Sequence, residues 1–180
     1  MLLQTHRLVS HPNFGPFAVR GLTVRWSELK DGRVMLRYCV EGCTSLVVPK
    51  LESADRTDGL WRHTCFELFL YDGEGRYREF NFSPSGQWAA YSFSGYRSSM
   101  ERFDPVHPPE ILAEKGHDLF ILTAFLRRSD IEGASRAALS AVLEEPAKRL
   151  SYWALIHGGE RPDFHDPACF RLPVGSALAS

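Results

Sequence analysis

The chain has 180 residues, a net charge of −1 and 44% hydrophobic residues. That length predicts a single domain, residues 1–180, with a full hydrophobic core. The near-neutral charge gives no reason to expect binding to nucleic acid. No apolar run reaches the roughly 20 residues that a membrane helix needs, and the first residues, MLLQTHRLVS, lack the apolar core of a secretory signal. We therefore expect a cytoplasmic protein that binds neither nucleic acid nor membrane, with its oligomeric state open.

The cysteines do not form a zinc-binding pattern. Of Cys39, Cys43, Cys65 and Cys169, only the first two are close in sequence, so we expect free thiols in a reducing compartment. His157 and His165 could join Cys169 around a metal, but ordinary hydrogen-bonded histidines are the favoured explanation. We expect no bound metal and no cofactor.

The first half of the chain reads as short strands and turns. Residues 1–14 predict an extended arm, because Pro12 and the polar residues before it favour extended chain over a helix. Residues 18–29 and 34–40 alternate apolar and polar side chains, as half-buried strands do, around the turn Lys30-Asp31-Gly32. A further short strand is expected at 44–48.

The second half continues the pattern after a central stretch, residues 60–97, which predicts three strands joined by two tight turns. Residues 98–117 predict a long surface loop with one helical turn at 98–103. Strands are expected at 118–127, 150–157 and 168–172, followed by a frayed tail at 173–180. Residues 137–144 are ambiguous between helix and strand, and the β-rich neighbourhood favours strand. Many short strands at this spacing predict an all-β antiparallel sandwich or barrel.

The central stretch separates into two faces. If Ser83 and Gly86 close a four-residue turn, Asn81 faces Trp88 across the strand pair. Matching core faces then predicts an odd-length loop between the first two strands of the stretch. One face becomes core, with Phe66, Phe80, Phe82, Tyr91 and Phe93. The other collects Trp61, His63, Glu67, Glu79, Asn81 and Trp88.

That second face predicts a ligand site. Carboxylates and an amide next to indole rings provide directed hydrogen bonds and stacking area, which a sugar-like ring requires. A polar face exposed to water explains the same pattern without any ligand. Glu67 and Glu79 on neighbouring strands are also a candidate pair for glycoside hydrolysis, although salt bridges to nearby arginines explain them more simply.

Several longer segments together resemble the bacterial DOMON-like proteins, which are related to family 9 carbohydrate-binding modules. The resemblance covers about residues 15–172 and rests on these segments: Asp58–Trp61, Thr64–Glu67, Glu79–Gly86, Trp88–Tyr91, Tyr96-Arg97, Ser151–Leu155 and Pro162–His165.

The resemblance implies an antiparallel β-sandwich of the jelly-roll or immunoglobulin-like kind with about ten strands, similar to a carbohydrate-binding module. It further implies a ligand on one sheet, with Trp61, Trp88 and Trp153 as the available stacking rings. Our main prediction is a non-catalytic module for a saccharide or similar polar ring. Its predicted binding residues are Trp61, His63, Glu67, Glu79, Asn81, Trp88, Arg97 and Trp153.

Two alternatives remain open. Related DOMON domains bind haem, which here would need His157 or His165 together with Met100 as axial ligands. The weaker alternative is a hydrolase that uses Glu67 and Glu79.

Overall fold

The computed structural model describes residues 3–174. It contains twelve β-strands in that range. Their bounds are β1 Leu3–Ser10, β2 Gly21–Glu28, β3 Arg33–Glu41, β4 Cys65–Tyr71, β5 Tyr77–Phe82, β6 Trp88–Phe93, β7 Glu101–Arg102, β8 Glu110–Lys115, β9 Leu119–Arg127, β10 Arg136–Glu145, β11 Arg149–Ala154 and β12 Leu172–Pro173. The only helices in this range are single 3-10 turns. They span Cys43–Ser45, Leu60–Arg62, Arg128–Asp130, Pro146–Lys148 and Pro167–Cys169.

The strands form one antiparallel sheet that curls strongly, like half of a barrel. Its order is β7-β6-β5-β4-β10-β11-β1-β2-β3-β9-β8, with β12 beside β10. Two halves can be distinguished. The first half contains, in spatial order, β1, β2, β3, β9 and β8. The second half contains β7, β6, β5, β4, β10 and β11. The predicted all-β antiparallel fold is confirmed. It has more strands than expected, and the two halves belong to one continuous sheet.

Strand β1 connects the two halves. Its residues 3–8 pair with β2, and Val9 and Ser10 then pair with Ala154 and Trp153 of β11. The segment predicted as an N-terminal arm is therefore an internal strand of the sheet over residues 3–10. Of the predicted tail, residues 175–180 lie outside the described residues.

The main core fills the inside of the curl. Tyr38 of β3 packs on Phe66 of β4 with ring centroids 5.0 Å apart, and its hydroxyl donates to the Glu67 carbonyl oxygen (2.8 Å). These two strands lie in opposite halves, so the contact closes the curl over fully buried side chains. Burying large apolar side chains of this kind is the main driving force for such a fold.

The second half is also covered on its other face. A separate apolar cluster there includes Phe69, Tyr77, Phe93, Phe164 and Phe170. Phe164 and Phe170 come from the segment after β11, which lies across this face. Strand β4 is consequently buried on both sides, as the nearly unbroken apolar run Cys65–Leu70 would require.

Several local predictions are corrected. The ambiguous residues 137–144 form strand, within β10. Residues 98–117 contain β7 and β8 instead of a helical turn and a long loop. Strand β8 is an edge strand whose side chains are mostly exposed, so it lacks the apolar alternation that would have revealed it. The strand expected at 44–48 is not formed: its first residues lie in the 3-10 turn Cys43–Ser45 and the rest is irregular. Of the strand expected at 168–172, the first residues lie in the turn Pro167–Cys169 and only Leu172 is in a strand. No helix within residues 3–174 is long and apolar enough to span a membrane.

A glycine after β3 is held where a side chain has no room. Gly42 has φ +77°, and a Cβ there would lie 2.7 Å from the Ala18 carbonyl oxygen and 2.9 Å from Arg20 N. Gly32 has almost the same φ, +78°, but nothing within 4 Å. We expect Gly42→Ala to lower the free energy of unfolding by about 3 kcal/mol and Gly32→Ala by about 1 kcal/mol. Urea denaturation of the two variants measures the difference, and equal losses would contradict the steric account.

Candidate functional site

The outer face of the second half carries a cavity of about 750 Å³. Strands β4, β5, β6, β10 and β11 form its floor. Residues 58–62, 97–102 and 162–165 form its walls and rim. This volume is in the range of small-molecule sites. The cavity exists because the chain after β11 crosses the predicted polar face instead of leaving it open.

The turn between β5 and β6 decides which side chains reach this cavity. Ser83 N donates to the Gln87 carbonyl oxygen (2.9 Å), and Gly86 N donates to the Ser83 carbonyl oxygen (3.0 Å). Gly86 has φ +92°, so the loop contains one residue more than a simple four-residue turn. Asn81 therefore faces Ala89, and the predicted pairing of Asn81 with Trp88 is wrong by one residue.

A one-residue shift exchanges the two faces of β6. Trp88 lies in the main core, only 7% exposed, instead of on the ligand face. Tyr91 and Phe93, predicted for the core, line the cavity. The pairing of β4 with β5 is as predicted: five residues separate Tyr71 from its partner Tyr77. Glu67, Glu79 and Asn81 accordingly share one face.

Two carboxyl groups lie at the floor of the cavity. Glu67 of β4 is 2% exposed and accepts a hydrogen bond from Ser140 Oγ (2.9 Å). Glu79 of β5 is 6% exposed and accepts one from Asn81 Nδ2 (2.9 Å). Burial and the neighbouring Glu79 raise the pKa of Glu67 to about 8, and burial raises the pKa of Glu79 to about 7. At pH 7 the two groups together therefore hold at least one proton.

A tyrosine and a histidine extend this polar network. Arg97 N donates to the Tyr77 hydroxyl (3.0 Å), whose oxygen lies 2.8 Å from His165 Nδ1. Since the Tyr77 oxygen already accepts from Arg97, its own proton is available for Nδ1. This assignment leaves the His165 proton on Nε2, which faces Glu79 Oε2 at 3.7 Å. Burial, with Arg97 nearby, lowers the pKa of His165 to about 4, so the ring is neutral at pH 7.

Charged groups at the rim pair with one another. The Tyr91 hydroxyl and Arg102 Nη2 donate to Asp58 at 2.7 and 2.8 Å. Arg97 Nη2 donates to Asp163 Oδ1 (2.8 Å), and the Tyr96 hydroxyl contacts the same carboxylate. These contacts connect the loops that form the walls and hold them together at the rim of the cavity.

The structure brings some of the predicted binding residues together and separates others. Trp61, Glu67, Glu79 and Arg97 line the cavity, and Asn81 holds Glu79 from the adjoining floor. Three residues lie elsewhere. His63 is largely exposed beside Glu144 (2.7 Å), Trp88 is in the main core, and Trp153 is also in the main core, where its Nε1 donates to Ser151 Oγ (3.0 Å). Whether the cavity residues bind a ligand stays a prediction.

Sequence reasoning missed much of the aromatic lining. The missed cavity residues include Phe69, Tyr91, Phe93, Tyr152, Phe164 and His165. Tyr91 and Phe93 were missed because of the turn. Phe164 and His165 lie in the irregular segment 161–167, whose path no periodicity reveals. The continuous apolar run of β4 was the available signal that something covers this face.

The arrangement does not fit haem ligation. Met100 and His165 do line the same cavity. Of the His165 ring nitrogens, however, Nδ1 is engaged by Tyr77 and Nε2 faces Glu79. His157 lies outside the lining and binds the Val9 carbonyl oxygen through Nε2 (2.9 Å). Within residues 3–174, no three His, Cys, Asp or Glu side chains come together as a metal-binding group.

Comparisons with known proteins support the fold. No family model matches the sequence, and no curated protein is similar enough in sequence to be identified as a relative. Among solved structures, the chain is similar to one described as a "putative carbohydrate-binding protein" from Bacteroides uniformis ATCC 8492. The TM-score is 0.67 at 17% identity, over 93% of this chain and 84% of that chain. At this identity the similarity establishes the common fold, and function has to be argued from the cavity.

Proposed function

We propose that the protein is a non-catalytic binding module that holds a saccharide, or a similar polar ring, in the cavity. The observation that carries this proposal is the composition of the lining: aromatic rings on the walls and two buried carboxyl groups on the floor. Rings of this kind stack on the apolar faces of sugars, while carboxyl groups bind hydroxyls. The fold that the chain shares with the Bacteroides uniformis protein adds support.

Trp61 is the ring best placed to receive such a ligand. Half of it is exposed (49%), and the Arg62 guanidinium lies 5.4 Å from its centroid on one side. With Arg62 on one side of the ring, the exposed area of the indole at the rim of the cavity is available to a ligand. Stacking against a ligand ring accounts for its position.

We also propose that the chain is a distant member of the DOMON-like group related to family 9 modules, on the strength of the sequence segments described above. The free state of Cys39, Cys43, Cys65 and Cys169 is compatible with the proposed cytoplasmic location.

The proposed function is tested by titrating neutral monosaccharides and disaccharides into the protein by isothermal calorimetry. We expect Trp61→Ala to weaken the binding of the best ligand about five- to tenfold, which corresponds to the loss of one stacking contact. Phe17→Ala is the matched control, because Phe17 is also exposed (74%) but lies outside the cavity. No binding by any sugar, or equal losses in both variants, would contradict the proposal. Cleavage of a disaccharide would instead favour a hydrolase that uses Glu67 and Glu79.

A further inference from the structure

The floor of the cavity has more hydrogen-bond acceptors than donors. The raised pKa values of Glu67 and Glu79 leave these two carboxyl groups at least one proton between them at pH 7, and each of their oxygens without a proton is an acceptor. Ser140 Oγ donates to one oxygen of Glu67, and Asn81 Nδ2 donates to one oxygen of Glu79. Asn81 Oδ1 is itself buried without a hydrogen-bond partner. Asn81 lies directly opposite Glu67 in the β4–β5 pairing and binds Glu79, so this unsatisfied acceptor belongs to the same group. Buried acceptors without donors are unusual in folded proteins and call for an explanation.

No arginine or lysine within residues 3–174 forms a salt bridge with this group, although the charge of Arg97 partly offsets the rise in the pKa of Glu79. Arg97 is paired with Asp163 and Arg102 with Asp58, both at the rim. The one basic side chain that reaches a floor carboxylate is His165, whose Nε2 lies 3.7 Å from Glu79 Oε2. That distance exceeds a hydrogen bond, and the buried ring is neutral at pH 7. The two carboxyl groups are therefore buried beside each other without a positive partner within residues 3–174.

We propose that the ligand carries a protonated amine, as an amino sugar does, and that Glu67 and Glu79 receive it, with the unsatisfied Asn81 Oδ1 next to them. An ammonium group has three donors and no acceptor, which complements a group of three acceptor side chains. When it binds, the carboxyl groups release their proton to the solvent, and both carboxylates then face the positive charge of the ammonium group through charge-assisted hydrogen bonds, which are the strong ones. This inference rests on the proposed function, because the aromatic walls must still hold the ring of the sugar.

A small amine alone would leave most of the cavity unfilled. About 750 Å³ is much more than an ammonium group fills, and the remaining lining is aromatic. Tyr91 and Phe93 stand beside Glu79 on the floor, while Trp61 stands at the rim. A ring with an amine at one end and hydroxyls elsewhere would use the acceptors and the aromatic walls together.

The test compares sugars that differ only in one group. D-glucosamine, D-galactosamine and D-mannosamine are titrated at pH 7 by calorimetry, each beside the parent sugar with a hydroxyl in place of the amine. For at least one pair we expect the amino sugar to bind about tenfold tighter or more, the effect of one charge-assisted hydrogen bond. Glu79→Gln and Glu67→Gln should each remove most of this preference. Both variants should fold, because glutamine keeps the shape of the side chain and introduces no buried charge.

The control is Glu74→Gln, an exposed carboxylate in the β4–β5 turn, which should keep the full preference. If neutral sugars bind as tightly as their amino counterparts in every pair, the inference is wrong and the proposed function stands. A preference that persists in Glu67→Gln and Glu79→Gln would equally overturn the inference. If no member of any pair binds, the proposed function fails and this inference fails with it.

Discussion

Raising the pH from 6.5 to 8.5 should lower the free energy of unfolding by about 2–3 kcal/mol. The cause is the carboxyl pair on the cavity floor. In the folded protein the pKa of Glu67 is raised to about 8 and that of Glu79 to about 7, whereas both have ordinary values near 4.5 when unfolded. Between those values the folded state binds more protons than the unfolded state, so stability falls as pH rises. Thermal or urea unfolding at several pH values measures the slope.

Few other perturbed groups titrate in this window. Burial lowers the pKa of His165 to about 4 and also lowers that of His157, so both act below it. Burial raises the pKa of Cys169 to about 11 and, together with Asp58, raises the pKa of Tyr91 well above this window. Glu67→Gln should reduce the loss of stability to less than half. Glu74→Gln, which changes an exposed carboxylate, should leave it unchanged, and a wild-type slope in Glu67→Gln would refute the assignment.

Glu145→Ala should cost about 3–5 kcal/mol of stability. Glu145, 1% exposed at the end of β10, accepts hydrogen bonds from the backbone N–H groups of Phe17, Ala18 and Val19. Its Oε1 also accepts from Ser45 Oγ (2.8 Å). Burial alone would raise the pKa of Glu145, but these hydrogen bonds lower it. Removing the carboxylate leaves several donors without an acceptor in a partly buried place, which is the costly case.

Two further variants make this prediction specific. Glu145→Gln keeps one acceptor oxygen in the same position and should lose about half as much stability. Glu114→Ala removes an exposed carboxylate on edge strand β8 and should change stability by less than about 0.5 kcal/mol. Urea unfolding of the three variants ranks them. Equal stability of Glu145→Ala and Glu114→Ala would show that water replaces the carboxylate at little cost.

The sequence predicted the all-β antiparallel class, most of the longer strands and part of the site, because alternation reports which side chains share a face. It placed Glu67, Glu79 and Asn81 together correctly, since the loop between β4 and β5 has to be odd to keep apolar faces aligned. It failed for Trp88, because the extra residue at Gly86 leaves no mark on the hydrophobic pattern. The sequence Ser83–Gly86 is compatible both with a simple four-residue turn and with a turn that contains one extra, bulged residue.

The segment that covers the cavity could not be predicted from the sequence, for a different reason. The segment 161–167 has no periodicity, so nothing in its sequence tells which surface it crosses. The buried contacts of Phe164 and His165 are tertiary and long-range, joining this segment to β5, β6 and β11. Fold class follows from local pattern, whereas the walls of a cavity depend on where irregular chain is held by distant partners.

The pairing of β1 with β11 constrains the order in which the protein can be built. Val9 pairs with Ala154, which lies 145 residues later in the chain. This short antiparallel pairing of β1 with β11 joins the two halves into one sheet. During synthesis on the ribosome, β1 can pair with β2 early, but its last residues have no partner until β11 has emerged. Completion of the sheet must therefore wait for nearly the whole chain, and pairing over such distances in sequence is slow. The cavity floor, which needs β10 and β11 in place, is among the last parts of the molecule to form.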